Sequence, residues 1–315
     1  MTKLSGTLSE LGEFALIDAL QSLVAPHAAV LLGPGDDAAV VAMPGPLLVS
    51  SDLLVEGRHF RREWCEASDV GRRAAAASLA DVAAMGGSAA ALLVGFAAPG
   101  SLDAQWAYDM TRGLAEEAAR VEAGIAGGDV TQSDVIVVAV TALGSAQQPP
   151  VTRAGARPGD VVALAGRLGW AAAGLAVLSR GFRSPRVVVE AYRRPEPPYG
   201  AGPEAAAAGA TAMIDVSDGL LADLGHVARA SEVAIDVLTG AVALAEPVTA
   251  VAAAVGVDPL HLHLTGGDDH ALAATFPAEA ELPQGWRRIG SVGAGSGVTV
   301  DGSAYEGPAG HEHFR

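Results

Sequence analysis

Carboxylates stand where this chain can least accommodate them. In six stretches an aspartate ends or interrupts an apolar run: Asp36 and Asp37 in GPGDDAAVV, Asp52 in LLVSSDLL, Asp81 in SLADVAAMGG, Asp129 in AGGDV, Asp215 and Asp218 in MIDVSDGLL, and Asp268 and Asp269 in LTGGDDHAL. A charge at the end of a buried strand is costly unless it is paired or meets a ligand, so the fold must bring these strand ends to polar openings. Singly, each has an ordinary explanation as a turn or a helix cap. Together they say more. Glycines beside several of them let backbone approach a ligand closely, and converging carboxylates repel one another unless a cation lies among them. Magnesium suits oxygen donors and shares its shell with phosphates. Ser50 and Ser51, next to Asp52, can add hydroxyl or carbonyl oxygens. Asp81 falls near the C-terminal end of an expected helix, where the dipole disfavours an uncompensated anion.

Composition narrows the chemistry further. The formal net charge is −16 and the pI about 4.8, which argues against a nucleic-acid partner. Lys3 is the only lysine, and no G-x-x-x-x-G-K-[ST] occurs. A phosphate held here must therefore be neutralised by metals, arginines and backbone amides. Histidines such as His59, His226, His270 and His313 are scattered, without an H-E-x-x-H; His261 and His263 read as one face of a strand. Neither a G-x-S-x-G elbow nor an N-terminal GxGxxG fingerprint is present. A single cysteine, Cys65, excludes an internal disulfide and fits a reducing, cytoplasmic setting. The N-terminus lacks the basic start and unbroken apolar core of a signal peptide, and the apolar stretches at 88–98 and 168–178 are too short to span a bilayer, so no membrane association is expected.

Periodicity supplies the organisation. An amphipathic helix is expected at the start, with Leu8, Leu11, Ala15 and Ile17 to Leu20 on its apolar side. AAVLLGPGDDAAVVAMP and PLLVSSDLLVEG read as two strands joined by a Pro-Gly turn. SDVGRRAAAASLADVAAMGG reads as a helix capped by Ser68 or Asp69 and stopped at Gly86-Gly87. A strand, a helix over about 103–123 and a pair of strands around IAGGDV and DVIVVAVTALG follow. The polar, Pro-rich 145–150 is the linker candidate. Beyond it come the strand DVVALAG, the helix GWAAAGLAVLSRG, a Pro- and Arg-rich crossing at 193–204, and the strand ATAMID. That strand feeds the helix SDGLLADLGHVARAS, whose Leu220, Leu221, Leu224, Val227 and Ala228 form one stripe. A strand-rich tail ends the chain. Alternating strands and helices in both halves predict two α/β or α+β domains.

In order, GPGDDAAVV, VSSDLLVEGRHF, SLADVAAMGG, GGDVT, VTRAGARPGD, IDVSDGLLADLGH and GGDDHAL resemble the thiamine-monophosphate kinase family. That family is a branch of the ATP-binding superfamily that includes aminoimidazole ribonucleotide synthetase. The resemblance runs from Gly12-Glu13-Phe14 to the final HFR. It implies an α/β (α+β), two-domain aminoimidazole ribonucleotide synthetase-like fold. Residues 1–145 would form a metal- and ATP-binding, dimerising domain, and 151–315 a C-terminal domain that completes the active site. The implied reaction is direct transfer of the ATP γ-phosphate to thiamine monophosphate by a homodimer, with several Mg²⁺ ions and no phosphoenzyme. Carried over by position, Asp37, Ser50, Ser51, Asp52, Asp81, Asp129, Asp215 and Asp218 would bind metal. Gly128, Asp129, Arg153 and Ser217 would meet the nucleotide, and His59, Asp268 and His311 the thiamine monophosphate.

This chain departs from the family in places. GGDDHAL stands where the family reads Gly-Gly-Glu-Asp-Tyr-Glu-Leu, so Asp268 is one methylene short, His270 replaces an aromatic, and Ala271 has no carboxylate. His311 stands where the family carries an aromatic, and imidazole stacks more weakly. Two alternatives stay open: another ATP-using member of the superfamily, such as an aminoimidazole ribonucleotide synthetase-like enzyme, and a non-catalytic nucleotide- or metal-binding protein. Selenophosphate synthetase would need a reactive N-terminal cysteine with a lysine, and a hydrogenase-maturation member a C-terminal cysteine; the sequence has neither.

Overall fold

The amphipathic start folds as two helices rather than one. Gly12, at φ +82°, turns the chain between α1 (Leu8–Leu11) and α2 (Glu13–Gln21), a backbone setting that other residues adopt only with strain. Only Leu16 of α2 is buried. The computed structural model describes residues 3–35 and 37–311, so Asp36 and the HFR end with His313 lie outside the described residues. The chain divides into two compact units, 1–82 with 88–145, and 83–87 with 146–315.

In the first unit, the expected opening strand is broken into β1 (Val30–Leu32) and β2 (Val40–Val41), which pair antiparallel. Pro34 donates no ladder hydrogen bond and Gly35 has φ +121°, so the segment between them cannot continue as a strand. Then follow β3 (Leu47–Val55), α3 (Ala67–Ala84), β4 (Ser88–Ala98), α4 (Ala104–Ala119), β5 (Gly124–Gln132) and β6 (Val137–Ser145). Ser68 and Asp69 do not precede α3 but lie in its first turn, where Asp69 Oδ2 reaches back to accept from Glu66 N at 3.0 Å. The four-stranded sheet runs β3-β6-β4-β5. The last two strands of the unit are therefore not neighbours; β4 separates them.

Alternation along β6 gives this sheet two different faces. Val138, Val140 and Ala142 are fully buried, and the register sets them opposite Leu54, Asp52 and Ser50 of β3. α3 lies against that face, with Ser78 Oγ 2.9 Å from Val140 O. The other face is open within the unit: Val49 and Leu53 are each 58% exposed, and Leu47 and Leu93 are exposed beside them.

The second unit contains β7 (Val161–Ala165), α5 (Trp170–Ser179), α6 (Arg186–Arg193), α7 (Ala201–Ala207), β8 (Ala212–Val216), α8 (Leu220–Ser231) and β9 (Ala234–Val237). After them come α9 (Glu246–Val255), α10 (Pro259–Thr265), β10 (Ala271–Phe276), β11 (Trp286–Gly293), β12 (Gly297–Val300) and β13 (Ser303–Ala304). The sheet order is β13-β12-β9-β11-β7-β10-β8. β7, β8 and β10 are buried at every residue, because both faces are covered. On one face Val162, Leu164, Ile214 and Val216 pack with the α8 stripe Leu220, Leu221, Leu224, Val227 and Ala228. On the other, Ala163, Met213, Leu272, Phe276 and Trp286 pack with Ala205 of α7.

His261 and His263 are not on a strand. Asp258 caps and Pro259 begins α10, so the pair lies on a helix. His263 is fully buried; Pro259 O fixes its Nδ1 at 2.8 Å and its Nε2 accepts from Ala245 N, a satisfied structural role. Among the described residues no single helix is long and apolar enough to cross a membrane, although the bent pair α9 and α10 passes on length and composition together.

Candidate active site

β3 supplies the first group of polar side chains, and its period of two decides where they point. Ser50 and Asp52 face α3; Ser51 faces the open side. Ser50 Oγ donates to Asp81 Oδ2 on α3, and Ser78 Oγ lies 2.7 Å from Asp52 Oδ2. The sheet and the helix thus bring Ser50, Asp52 and Asp81 together, with Ser78 as a partner that sequence alone did not mark. Ser51 is 2.9 Å from Thr141 Oγ1 on the opposite face. Asp129 is exposed on β5, separated from β3 by two strands, in register with Gly95. A Cβ at Gly128 would stand 2.0 Å from Val94 O, so the strand contact there admits only glycine. Asp37 is exposed between β1 and β2. His59 folds back on β3: its Nδ1 accepts from Val55 N at 2.9 Å, which leaves the ring proton of the neutral form on Nε2.

The second group lies in the second unit, where β8 runs into α8. Asp215 is buried at the end of β8, and His270 Nδ1 is 3.0 Å from its Oδ2. Ser217, Asp218 and Gly219 make the turn. The Gly266–His270 loop wraps it, with Asp268 N bonded to Ser217 O at 2.8 Å and His270 N to Val216 O at 3.0 Å. Asp268 and His270 both have positive φ, +66° and +50°. Asp269 holds the bend between them. Its Oδ2 and Oδ1 accept from Trp170 N and Ala171 N, at 2.9 Å each, and so cap α5. His311 N donates to Asp218 O at 3.0 Å.

Beside this turn is a cavity of about 1080 Å³, lined by Asp218, Leu221, His226, Arg229, Tyr305 and His311 among others. Burial lowers the His226 pKa first, and the Arg153 and Arg229 guanidiniums lower it further. Arg153 is thereby placed near this rim, its carbonyl tied to Ser231 Oγ at 2.9 Å.

Every donor in both groups that sequence assigned to metal is an oxygen, the set that suits a hard divalent cation. Among the described residues no three His, Cys, Asp or Glu side chains form a ready-made cage. At the head of α8 the Asp215 and Asp218 carboxylates lie close enough to Asp223 to act on it. Burial, then the Asp215 and Asp218 carboxylates, push Asp223 up to about 7. The residues fit magnesium. Asp223 was not among the residues marked by sequence, although a carboxylate between Leu220, Leu221 and Leu224 in an apolar stripe was the available signal.

A family model for the AIR synthase related protein, N-terminal domain, matches residues 35–146. The class is thus an α/β protein with an AIR synthase-like first unit. The thiamine-monophosphate kinase of Mycobacterium tuberculosis (strain ATCC 25618 / H37Rv) is 48% identical over 98% of this chain and 94% of its own length. Among solved structures, the thiamine-monophosphate kinase from Stenotrophomonas maltophilia K279a is 30% identical with a TM-score of 0.81, covering 93% of this chain and 98% of its own. AaThiL complexed with AMPPCP and TMP is 29% identical, also with a TM-score of 0.81, over 100% of this chain and 99% of its own. The chain belongs to the thiamine-monophosphate kinase family.

Proposed function

We propose that this protein phosphorylates thiamine monophosphate to thiamine diphosphate with ATP, passing the γ-phosphate directly to the substrate phosphate. The observation that carries this reading is full-length likeness to thiamine-monophosphate kinases, including a structural relative that holds an ATP analogue together with TMP. The acceptor is a phosphate monoester, already largely ionised near neutral pH, so no residue need deprotonate it. What the protein must supply is alignment and charge. We assign Asp37, Ser50, Ser51, Asp52, Asp81 and Asp129 of the first unit, and Asp215 and Asp218 of the second, to magnesium; Ser51 would contribute through its carbonyl. Bound magnesium would neutralise the phosphates and draw donor and acceptor into line. Gly128 and Ser217 would bind the nucleotide with Asp129, and Arg153 would add the fixed positive charge that the missing lysines cannot. His59, Asp268 and His311 would orient thiamine monophosphate.

The open, apolar face of the first unit's sheet supports a homodimer joined through that unit, since patches of this kind mark association surfaces. The lone, buried Cys65 accords with a cytoplasmic setting, and the acidic charge with small-molecule rather than nucleic-acid partners. Incubation with ATP, Mg²⁺ and thiamine monophosphate should yield thiamine diphosphate. Asp52→Ala or Asp215→Ala should cost most of kcat, while His59→Ala should chiefly raise KM for thiamine monophosphate. Nucleotide binding without product would favour another superfamily activity or a non-catalytic binder, and a fully active Asp52→Ala enzyme would remove the metal assignment.

A further inference from the structure

One carboxylate is buried in the apolar stripe of α8. Asp223 is 3% exposed, flanked by Leu220, Leu221 and Leu224, none more than 4% exposed. An ionisable group in such surroundings is costly unless its hydrogen bonds repay the lost water. A single oxygen, Oδ2, accepts from both Asp218 N and Gly219 N, each at 3.0 Å. Gly219, the N-cap of α8, has no side chain to cap with, and the amides that Asp223 holds are those of the turn leading into the helix.

Capping alone does not explain the choice. A serine or asparagine at the N-cap would cap α8 through the Leu221 or Ala222 amide, without setting a third carboxylate beside Asp215 and Asp218; Asp223 reaches instead the two amides that precede the helix. What the internal carboxylate adds is constraint on Asp218 itself. The Asp218 amide is held by Asp223 and its carbonyl by His311 N at 3.0 Å, while the preceding Ser217 carbonyl accepts from Asp268 N. The remaining sides are closed by backbone. A Cβ at Gly219 would stand 2.5 Å from Thr265 O, at Gly267 2.2 Å from Ser217 O, and at Gly310 2.5 Å from Asp218 O. The turn is clamped all round, and Asp218 lines the cavity.

We propose that Asp223 is a positioning residue for phosphoryl transfer, fixing the Asp218–Gly219 peptides so that the Asp218 carboxylate and Ser217 hydroxyl keep one orientation toward the metal-bound nucleotide. This rests on the reading that Asp218 and Ser217 face that nucleotide. The test is calorimetric titration of the full-length protein with Mg²⁺ and AMPPCP, alongside steady-state kinetics and thermal melting. Asp223→Ala should bind Mg²⁺–AMPPCP about tenfold or more weakly and lose kcat by a similar factor, the usual cost of losing a residue that orients a metal ligand. KM for thiamine monophosphate should stay within about twofold, and Asp223→Asn, which keeps one acceptor oxygen, should restore most of the loss. An Asp223→Ala protein that melts earlier but binds Mg²⁺–AMPPCP and turns over like the parent has a cap and nothing more, and overturns the proposal. If Asp223→Ala does not fold, Asp223→Asn decides: parental melting with affinity about tenfold weaker overturns it, and affinity within about threefold supports it. Asp218→Ala separates the premise from the inference. Unchanged Mg²⁺–AMPPCP affinity in that variant removes the reading of Asp218 itself, whatever Asp223 does.

Discussion

Asp269 seals the head of α5 with both carboxylate oxygens, yet burial pushes its pKa up to about 7, against the pull of the Ala171 and Trp170 amides and of Arg167. In the unfolded chain the same group titrates near the ordinary aspartate value of 3.8. Between those two values the folded protein keeps a proton that the unfolded chain releases. Its favourable contribution is therefore complete below the lower value and is lost as pH rises through the upper one. Thermal midpoints should accordingly fall between about pH 4 and about pH 7, and Asp269→Asn should flatten that slope. Parallel curves for the two proteins would sink the idea. At this scale the sequence was only partly legible. A carboxylate at a strand end announces itself by chemistry, so Asp52, Asp81 and Asp215 could be marked. Asp223 offered the same kind of signal within its apolar stripe, whereas Ser78 and the bond between His270 and Asp215 offered none, because each depends on a partner 26 or 55 positions away that only the tertiary fold brings near.

At the scale of elements, α3 and α4 cross with almost nothing between them. A Cβ at Gly71 would stand 1.9 Å from Met110 O, and one at Gly113 2.0 Å from Ser68 O. Two effects compete in a Gly113→Ala variant. Alanine favours the helix by about 1 kcal/mol, but forcing the backbones apart costs about 1–3 kcal/mol or more. The clash should win, lowering the melting temperature; a variant that melts at or above the parent would mean that the crossing yields easily. Periodicity located β3, α3, β4, α4 and α8 because each carries a strong apolar pattern. It misjudged what local chemistry alone does not fix. Gly12 splits the first helix, Pro34 and Gly35 break the first strand, and His261 and His263 turn on a proline-started helix too short to show its period.

For the whole molecule, strand order was the part that residue patterns could not reveal. β6, last of its unit in sequence, lies between β3 and β4, and nothing in a string of valines and alanines says which neighbour it pairs with. The two-part α/β architecture could be read, because alternating strands and helices permit few others. The sheet's open face carries the prediction proper to this scale. Leu53→Glu places a charge in the middle of the exposed apolar row, so light scattering should show the parent at twice the chain mass and the variant at the chain mass. A parent that is already monomeric, or a variant that stays dimeric, would assign that face another role.

β3 serves both surfaces at once, its even-numbered Ser50 and Asp52 turned to α3 and its odd-numbered Val49 and Leu53 turned outward. A shift of one residue would exchange the two sets entirely. Evolution can therefore vary the outward residues of this strand one at a time but cannot shorten or lengthen it by one. A library of single-residue deletions across 48–54 should return no functional survivors, while deletions in the neighbouring 42–46 turn should be tolerated.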